Sequence, residues 1–223
     1  MIDHALLFGT GLIAAAYLLG SISSAILVCR IMGLPDPRTH GSHNPGATNV
    51  LRVGGTIGKV AAAITLLGDS LKGVLPMLIG SYLQVTPQLL AAIGIAAFLG
   101  HLYPIFFNFK GGKGVATALG VQLGLHWAVG ASVGALWLFI AKVLKISSVA
   151  ALFSMAMAPV LVWLIVDEPA LIGMQLIITG VLFWRHRSNI SNLLAGKETR
   201  IGGGTTDKAD HSPAANETNE PGN

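Results

Sequence analysis

The sequence predicts an all-α polytopic membrane protein with seven transmembrane helices, its N-terminus outside and its C-terminus in the cytoplasm. Three observations carry that prediction. The 223-residue chain is 52% hydrophobic and only 11% charged, with mean hydropathy +0.67, whereas soluble domains carry about 25% charged residues. Uncharged runs of membrane-crossing length alternate with short polar stretches. Lys and Arg gather at the ends of these runs rather than along one face, so the net charge of +4 and the pI near 9.4 point to a membrane and not to nucleic acid. Cys29 is the only cysteine, which excludes an internal disulfide.

Residues 5–28 form the first uncharged run, ending at Arg30. Met1-Ile2-Asp3-His4 before it has no basic stretch, which predicts a retained helix rather than a cleaved signal peptide. A second run spans about 60–83 and is interrupted by Asp69 and Lys72; a third covers 89–107, with His101 and Pro104 near its end. The uncharged stretch 115–141 reads as one long helix or two short ones, and the positive-inside rule decides. Two passes turning near residues 124–130 place all fourteen Lys and Arg inside, or within a helix for Lys72, and leave Asp3, Asp167 and Glu168 outside. A single pass would put Lys142, Lys145, Arg185 and Arg187 outside. Runs over 149–166 and 171–184 complete the membrane domain, residues 1–201. Residues 202–223 are polar, with almost nothing to bury, and read as a disordered cytoplasmic tail.

This topology gathers the polar clusters on one side. Gly41-Ser42-His43-Asn44-Pro45-Gly46-Ala47-Thr48-Asn49, followed by Arg52, combines glycines that admit close approach with short hydrogen-bonding groups and a permanently charged fork. A plain connector needs none of these. Lys110-Gly111-Gly112-Lys113-Gly114 offers two cations and glycine N–H groups able to form an anion nest. It is not a Walker A loop, because Gly114 stands where Ser or Thr would hold magnesium. Arg187, Asn189 and Asn192 add a cation and two amides, His186 can donate or shuttle a proton, and Lys145, Ser147 and Ser148 form a smaller cluster. Phosphate binding at the membrane surface is the chemistry these groups share.

Plainer roles compete at several positions. Lys110 and Lys113 also suit simple topology markers, and Arg185 reads best as an anchor to anionic lipid. His101 reads as an interfacial histidine. His40 and His43 lack nearby cysteine and carboxylate partners, so no metal and no other cofactor is expected. Asp69 and Lys72 have i,i+3 spacing that lets them pair on one helix face; a wall of the polar cavity, a support for another residue and a buried structural pair are all open.

The 41–49 run with Arg52, the run Phe109-Lys110-Gly111-Gly112-Lys113-Gly114-Val115-Ala116-Thr117, and His186-Arg187-Ser188-Asn189-Ile190 resemble the three motifs of the bacterial acyl-phosphate-dependent glycerol-3-phosphate acyltransferases. The resemblance extends to about Glu198 and includes Asp69, Lys72 and Gly73. It implies transfer of a fatty acyl group from acyl phosphate to the 1-hydroxyl of sn-glycerol 3-phosphate in the bacterial inner membrane, giving lysophosphatidic acid and phosphate, the first step of phospholipid synthesis. The implied partners are these two substrates, membrane lipid and the upstream enzyme that forms acyl phosphate.

By motif position the resemblance assigns Ser42, Arg52 and His186 to the catalytic centre. It assigns His43, Asn44, Gly46, Thr48, Asn49, Lys110, Gly111, Gly112, Lys113, Ser148, Arg187 and Asn189 to substrate binding, and Asp69 and Lys72 to structural support. Acyl phosphate is a mixed anhydride with a good leaving group, so the enzyme's task is to position two anions and neutralise their charge. Either His186 or the donor's own phosphate is a candidate base. No histidine here is followed five positions later by aspartate, so the His-x4-Asp signature of other glycerolipid acyltransferases is absent. The rival class is a transporter of small phosphorylated solutes, for which a site near the midplane between symmetric halves is expected instead.

Overall fold

The computed structural model describes residues 4–201, and among them every regular element is a helix. The tail expected at 202–223 lies outside the described residues. The first run forms α1 (His4–Gly20) and α2 (Ser24–Ile31), and the first motif closes with a short helix, α3 (Ala47–Val53). The remaining elements are α4 (Gly58–Tyr82), α5 (Pro87–Leu102), α6 (Val115–Leu125), α7 (Trp127–Leu144), α8 (Ser147–Ile165), α9 (Pro169–Arg185) and α10 (Arg187–Leu194).

A single helix over 5–28 is the natural expectation from hydropathy, but the chain bends by 40° between α1 and α2. Packing and polarity explain the break. Gly20 presses against the backbone of Ala97, where a Cβ would stand 3.0 Å from the carbonyl carbon. Breaking a helix in hydrocarbon frees carbonyls that need partners. Lys72 Nζ donates to the Ile22 carbonyl at 2.8 Å, and Ser21 Oγ donates to the Tyr17 carbonyl at 2.9 Å. The intramembrane lysine is therefore the partner that the broken helix requires.

The stretch 115–141 folds as two helices turning at His126, whose Nδ1 accepts from Ala128 N at 3.3 Å and caps α7. Gly130 packs on Leu123 and Gly134 on Leu119, so α6 and α7 run antiparallel. Four segments, built on α4, α5, α7 and α8, are long and apolar enough to cross a bilayer, or five if α1 and α2 form one bent span. At 11 residues α6 reaches about 16 Å, near half of a hydrocarbon core, and α9 has 17 residues.

Helix α5 is the central post, packed against α1, α4, α6 and α9 around Phe98, Leu102, Met77, Val121 and Ile178. Helices α4 and α6 approach closely because small residues face each other: a Cβ on Gly73 would stand 2.8 Å from Val121 N, and one on Gly120 would stand 2.9 Å from the Ser70 carbonyl carbon. Thr117 Oγ1 ties the pair further by donating to the Asp69 carbonyl at 2.9 Å. This packing brings α3, the 103–114 and 186–201 segments and the α7–α8 turn to one end of the bundle, where they contact one another.

Candidate active site

The first motif is a loop wound around one buried amide. Asn49, on the first turn of α3, is 1% exposed; its Nδ2 donates to the carbonyls of Pro37 (2.9 Å) and His40 (3.0 Å), and its Oδ1 accepts from Ser42 N (2.9 Å). With both amide hydrogens engaged inside the loop, Asn49 braces it rather than reaching into solvent. Gly41, at φ +63°, faces Asn49 Oδ1 where a Cβ would collide, so the turn requires glycine. Ser42 and His43 stand exposed on the outer side of this brace, with Asn44 partly exposed.

An open cleft of about 460 Å³ lies between the three motifs, lined by Ser42, His43, Asn44, Gly111, Lys113, Arg185, Arg187 and Ser188. Arg185 is no lipid anchor here. Its guanidinium donates to the carbonyls of Gly111 (3.1 Å) and Gly112 (2.9 Å) and lies 5.5 Å from the centre of the Tyr103 ring. Helix α9 thereby pins the glycine loop. Gly112 is buried, and its N–H donates inward to the His101 carbonyl at 3.3 Å, so it does not offer that N–H to an anion as the sequence suggests. Lys110 is exposed and outside the cleft; Lys113 is in it. Arg187 is exposed and lies 4.7 Å from the centre of the Trp184 ring.

Beside the open cleft is a second polar group, closed over by the chain after α10. Lys113 Nζ donates to Asn189 Oδ1, while Asn189 Nδ2 (2.6 Å) and Ser148 Oγ (2.7 Å) both donate to Glu198 Oε1. Arg52 donates to Thr199 Oγ1 at 3.0 Å, and Ile201 N donates to the Lys145 carbonyl at 2.7 Å. The Thr48 and Ser147 hydroxyls are 3.3 Å apart. Gly46 is the extended residue that precedes α3. Glu198 and Thr199 are the functional candidates that sequence reasoning misses. Their one legible signal is that Glu198 is the only carboxylate between Glu168 and the tail, set among Lys197, Arg200 and the basic third motif.

Electrostatics separate the titratable groups. Burial pushes the Lys113 ammonium below its ordinary value; Glu198 opposes the fall, and Arg185 and Arg52 add to it. Burial pushes His186 down to about 4, against the bond to the Leu182 carbonyl, with Lys113 lowering it further. His186 is 3% exposed and its Nδ1 donates to Leu182 O at 2.8 Å, which leaves the lone pair on Nε2. It is a neutral base near pH 7. Beneath the site, Lys72 Nζ and Asp69 Oδ1 form a buried ion pair at 2.9 Å.

Helices of membrane-crossing length, with cationic and hydrogen-bonding groups gathered at one end, define an integral membrane protein with an anion-compatible cleft. The particular class follows from comparison. A family model described as glycerol-3-phosphate acyltransferase matches residues 10–196, and the chain belongs to that family. It is 56% identical over 190 residues to a glycerol-3-phosphate acyltransferase of Hydrogenovibrio crunogenus, covering 85% of this chain and 90% of the relative. The enzyme of the same description from Methylococcus capsulatus is 55% identical over 191 residues, covering 86% and 95%. Two crystal structures of PlsY (YgiH), an integral membrane glycerol 3-phosphate acyltransferase, are similar in fold. The glycerol 3-phosphate form superposes with TM-score 0.82 at 37% identity, covering 87% of this chain and 96% of that one. The lysophosphatidic acid form gives 0.80 at 36% identity, covering 87% and 95%.

Proposed function

We propose that this protein transfers a fatty acyl group from acyl phosphate to the 1-hydroxyl of sn-glycerol 3-phosphate, releasing lysophosphatidic acid and inorganic phosphate. The carrying observation is that helices α9 and α10 line two unlike cavities. An apolar groove of about 290 Å³, lined by Val149, Leu152, Phe153, Ala156, Phe183 and Leu193, takes Phe183 from α9 and Leu193 from α10, the helices that give the polar cleft Arg185, Arg187 and Ser188. A substrate that joins a lipid chain to a phosphate calls for one cavity of each kind.

In this reading Lys113, Ser148 and Asn189 hold the phosphate of glycerol 3-phosphate. Ser42, His43, Asn44, Arg187 and the pinned glycine loop receive acyl phosphate, with Gly46 and Thr48 keeping α3 and its Arg52 in register. Arg52 neutralises charge that grows on the leaving phosphate. The 1-hydroxyl attacks the acyl carbon, the tetrahedral adduct collapses to the ester as its bond to phosphate breaks, and the hydroxyl proton passes to His186 Nε2 or to the departing phosphate. No covalent acyl-enzyme is needed, because the anhydride already carries a good leaving group. The membrane arrangement that fits is seven crossings, the bent α1–α2 pair counting as one, with the N-terminus outside and the site facing the cytoplasm of a bacterial inner membrane. Acyl phosphate then reaches the site from the enzyme that forms it.

The test is phosphate release by purified protein given acyl phosphate, with and without glycerol 3-phosphate. Release that requires the acceptor and yields lysophosphatidic acid is the expected result. Absence of release from folded protein would overturn the reading.

A further inference from the structure

His101 is a buried polar group that the chemistry above does not use. It lies at the C-terminal end of α5 and is 7% exposed. One side of it meets the glycine loop. Gly112 N donates to its carbonyl at 3.3 Å, a Cβ on Gly111 would collide with that same oxygen, and a Cβ on Gly112 would collide with ring atom Nε2 while standing 2.9 Å from the Pro45 carbonyl oxygen. Gly112 is thus clamped between the His101 ring and the first motif. The other side of the ring faces the buried pair: Nδ1 is 3.6 Å from Asp69 Oδ1, and has no hydrogen-bond partner among the described residues. Asp69 holds Lys72, and Lys72 holds the freed Ile22 carbonyl. A continuous stack therefore runs from the break in the first helix, through α4 and α5, to Gly112 and Pro45.

An apolar side chain of similar volume would fill this position without leaving a buried ring nitrogen unpaired, a state that disfavours folding. Ionisable groups kept inside a membrane segment point to function. We propose that His101 is a positioning residue for phosphate binding: its ring, backed by the Asp69–Lys72 pair, sets the height of the 110–114 loop against the first motif and thereby places Lys113. The proposal rests on the reading that Lys113 holds the phosphate of glycerol 3-phosphate.

The test combines steady-state kinetics with amide hydrogen exchange on the purified full chain. His101→Ala is expected to raise KM for glycerol 3-phosphate roughly tenfold while kcat stays within about twofold, because placement changes and chemistry does not. His101→Gln, which keeps a polar head of similar reach, restores most of the affinity. Gly112→Ala alone raises KM further, and the His101→Ala/Gly112→Ala double variant is better than the product of the two singles, since removing the ring makes room for the methyl. Exchange at 110–114 rises in His101→Ala. Strictly multiplicative losses, an unchanged KM, or unchanged loop exchange in His101→Ala would each overturn the proposal. If His101→Ala does not fold, His101→Asn carries the same expectations. Wild-type protein without acyltransferase activity would sink the functional reading, and loop exchange in the variants would then decide the positioning role alone.

Discussion

Two regions share the cationic end of this molecule and differ in what balances them. The open cleft around Ser42, Asn44, Lys113, Arg185 and Arg187 faces solvent, and Arg185 spends its charge on two backbone carbonyls. The adjoining region around Arg52, Ser148 and Asn189 is covered by residues 198–201 and carries its own carboxylate, Glu198. Lys113 belongs to both, touching the cleft while bonding to Asn189. A site open to water leaves its charge for the substrate; a covered one needs an internal counter-charge, because an uncompensated buried cation is costly. The same residue types therefore meet different electrostatic surroundings on the two sides of Lys113.

The largest effect should come from the covered side. Arg52→Lys removes the planar fork while keeping the charge, and acceptor-dependent phosphate release should fall by about 10²-fold or more. Near-normal turnover would remove Arg52 from the centre and leave the open cleft to do the chemistry. Next, Lys113→Ala should raise KM for glycerol 3-phosphate by about tenfold or more, while Lys110→Ala, exposed and outside the cleft, should change it less than about twofold. Equal effects would mean that Lys113 does not hold glycerol 3-phosphate.

Charge balance gives a finer test. In the proposed reading Lys113 binds phosphate as an ammonium, so activity should be lost as pH rises through its pKa. Burial already lowers that value and Glu198 alone among the named causes opposes the fall. Glu198→Gln should therefore move the alkaline limb of the rate profile to lower pH; an unmoved limb would uncouple Glu198 from Lys113. A base role for His186 would set the opposite limb. Held down to about 4, it is neutral above that pH, so a base role predicts turnover that persists through pH 5 to 6 and falls only as pH approaches 4. A fall near the ordinary histidine value would assign the proton to another group. The smallest expected change is in Arg187→Ala: that side chain is exposed and stacked on Trp184, so KM should rise only about two- to threefold.

Much of this was legible before any coordinates. Low charge, uncharged runs and the placement of Lys and Arg determine an all-helical membrane protein, and the turn inside 115–141 follows from charge sidedness alone, because moving cations across a bilayer is costly. The three polar stretches are visible as groups that a connector has no use for. The division of labour among them was not. Asn49 as an internal brace, Arg185 as the pin on the glycine loop, Glu198 as the covered region's anion and His101 beneath Gly112 all depend on partners from 7 to 74 positions away or on a ring packed against backbone. A sequence records which groups are present and how greasy their surroundings are, since hydropathy and charge are local properties. Which donor meets which acceptor is decided by helix packing: the bend at Gly20, the close crossing of α4 and α6, and the return of residues 198–201 over the site. Those are properties of the assembled chain.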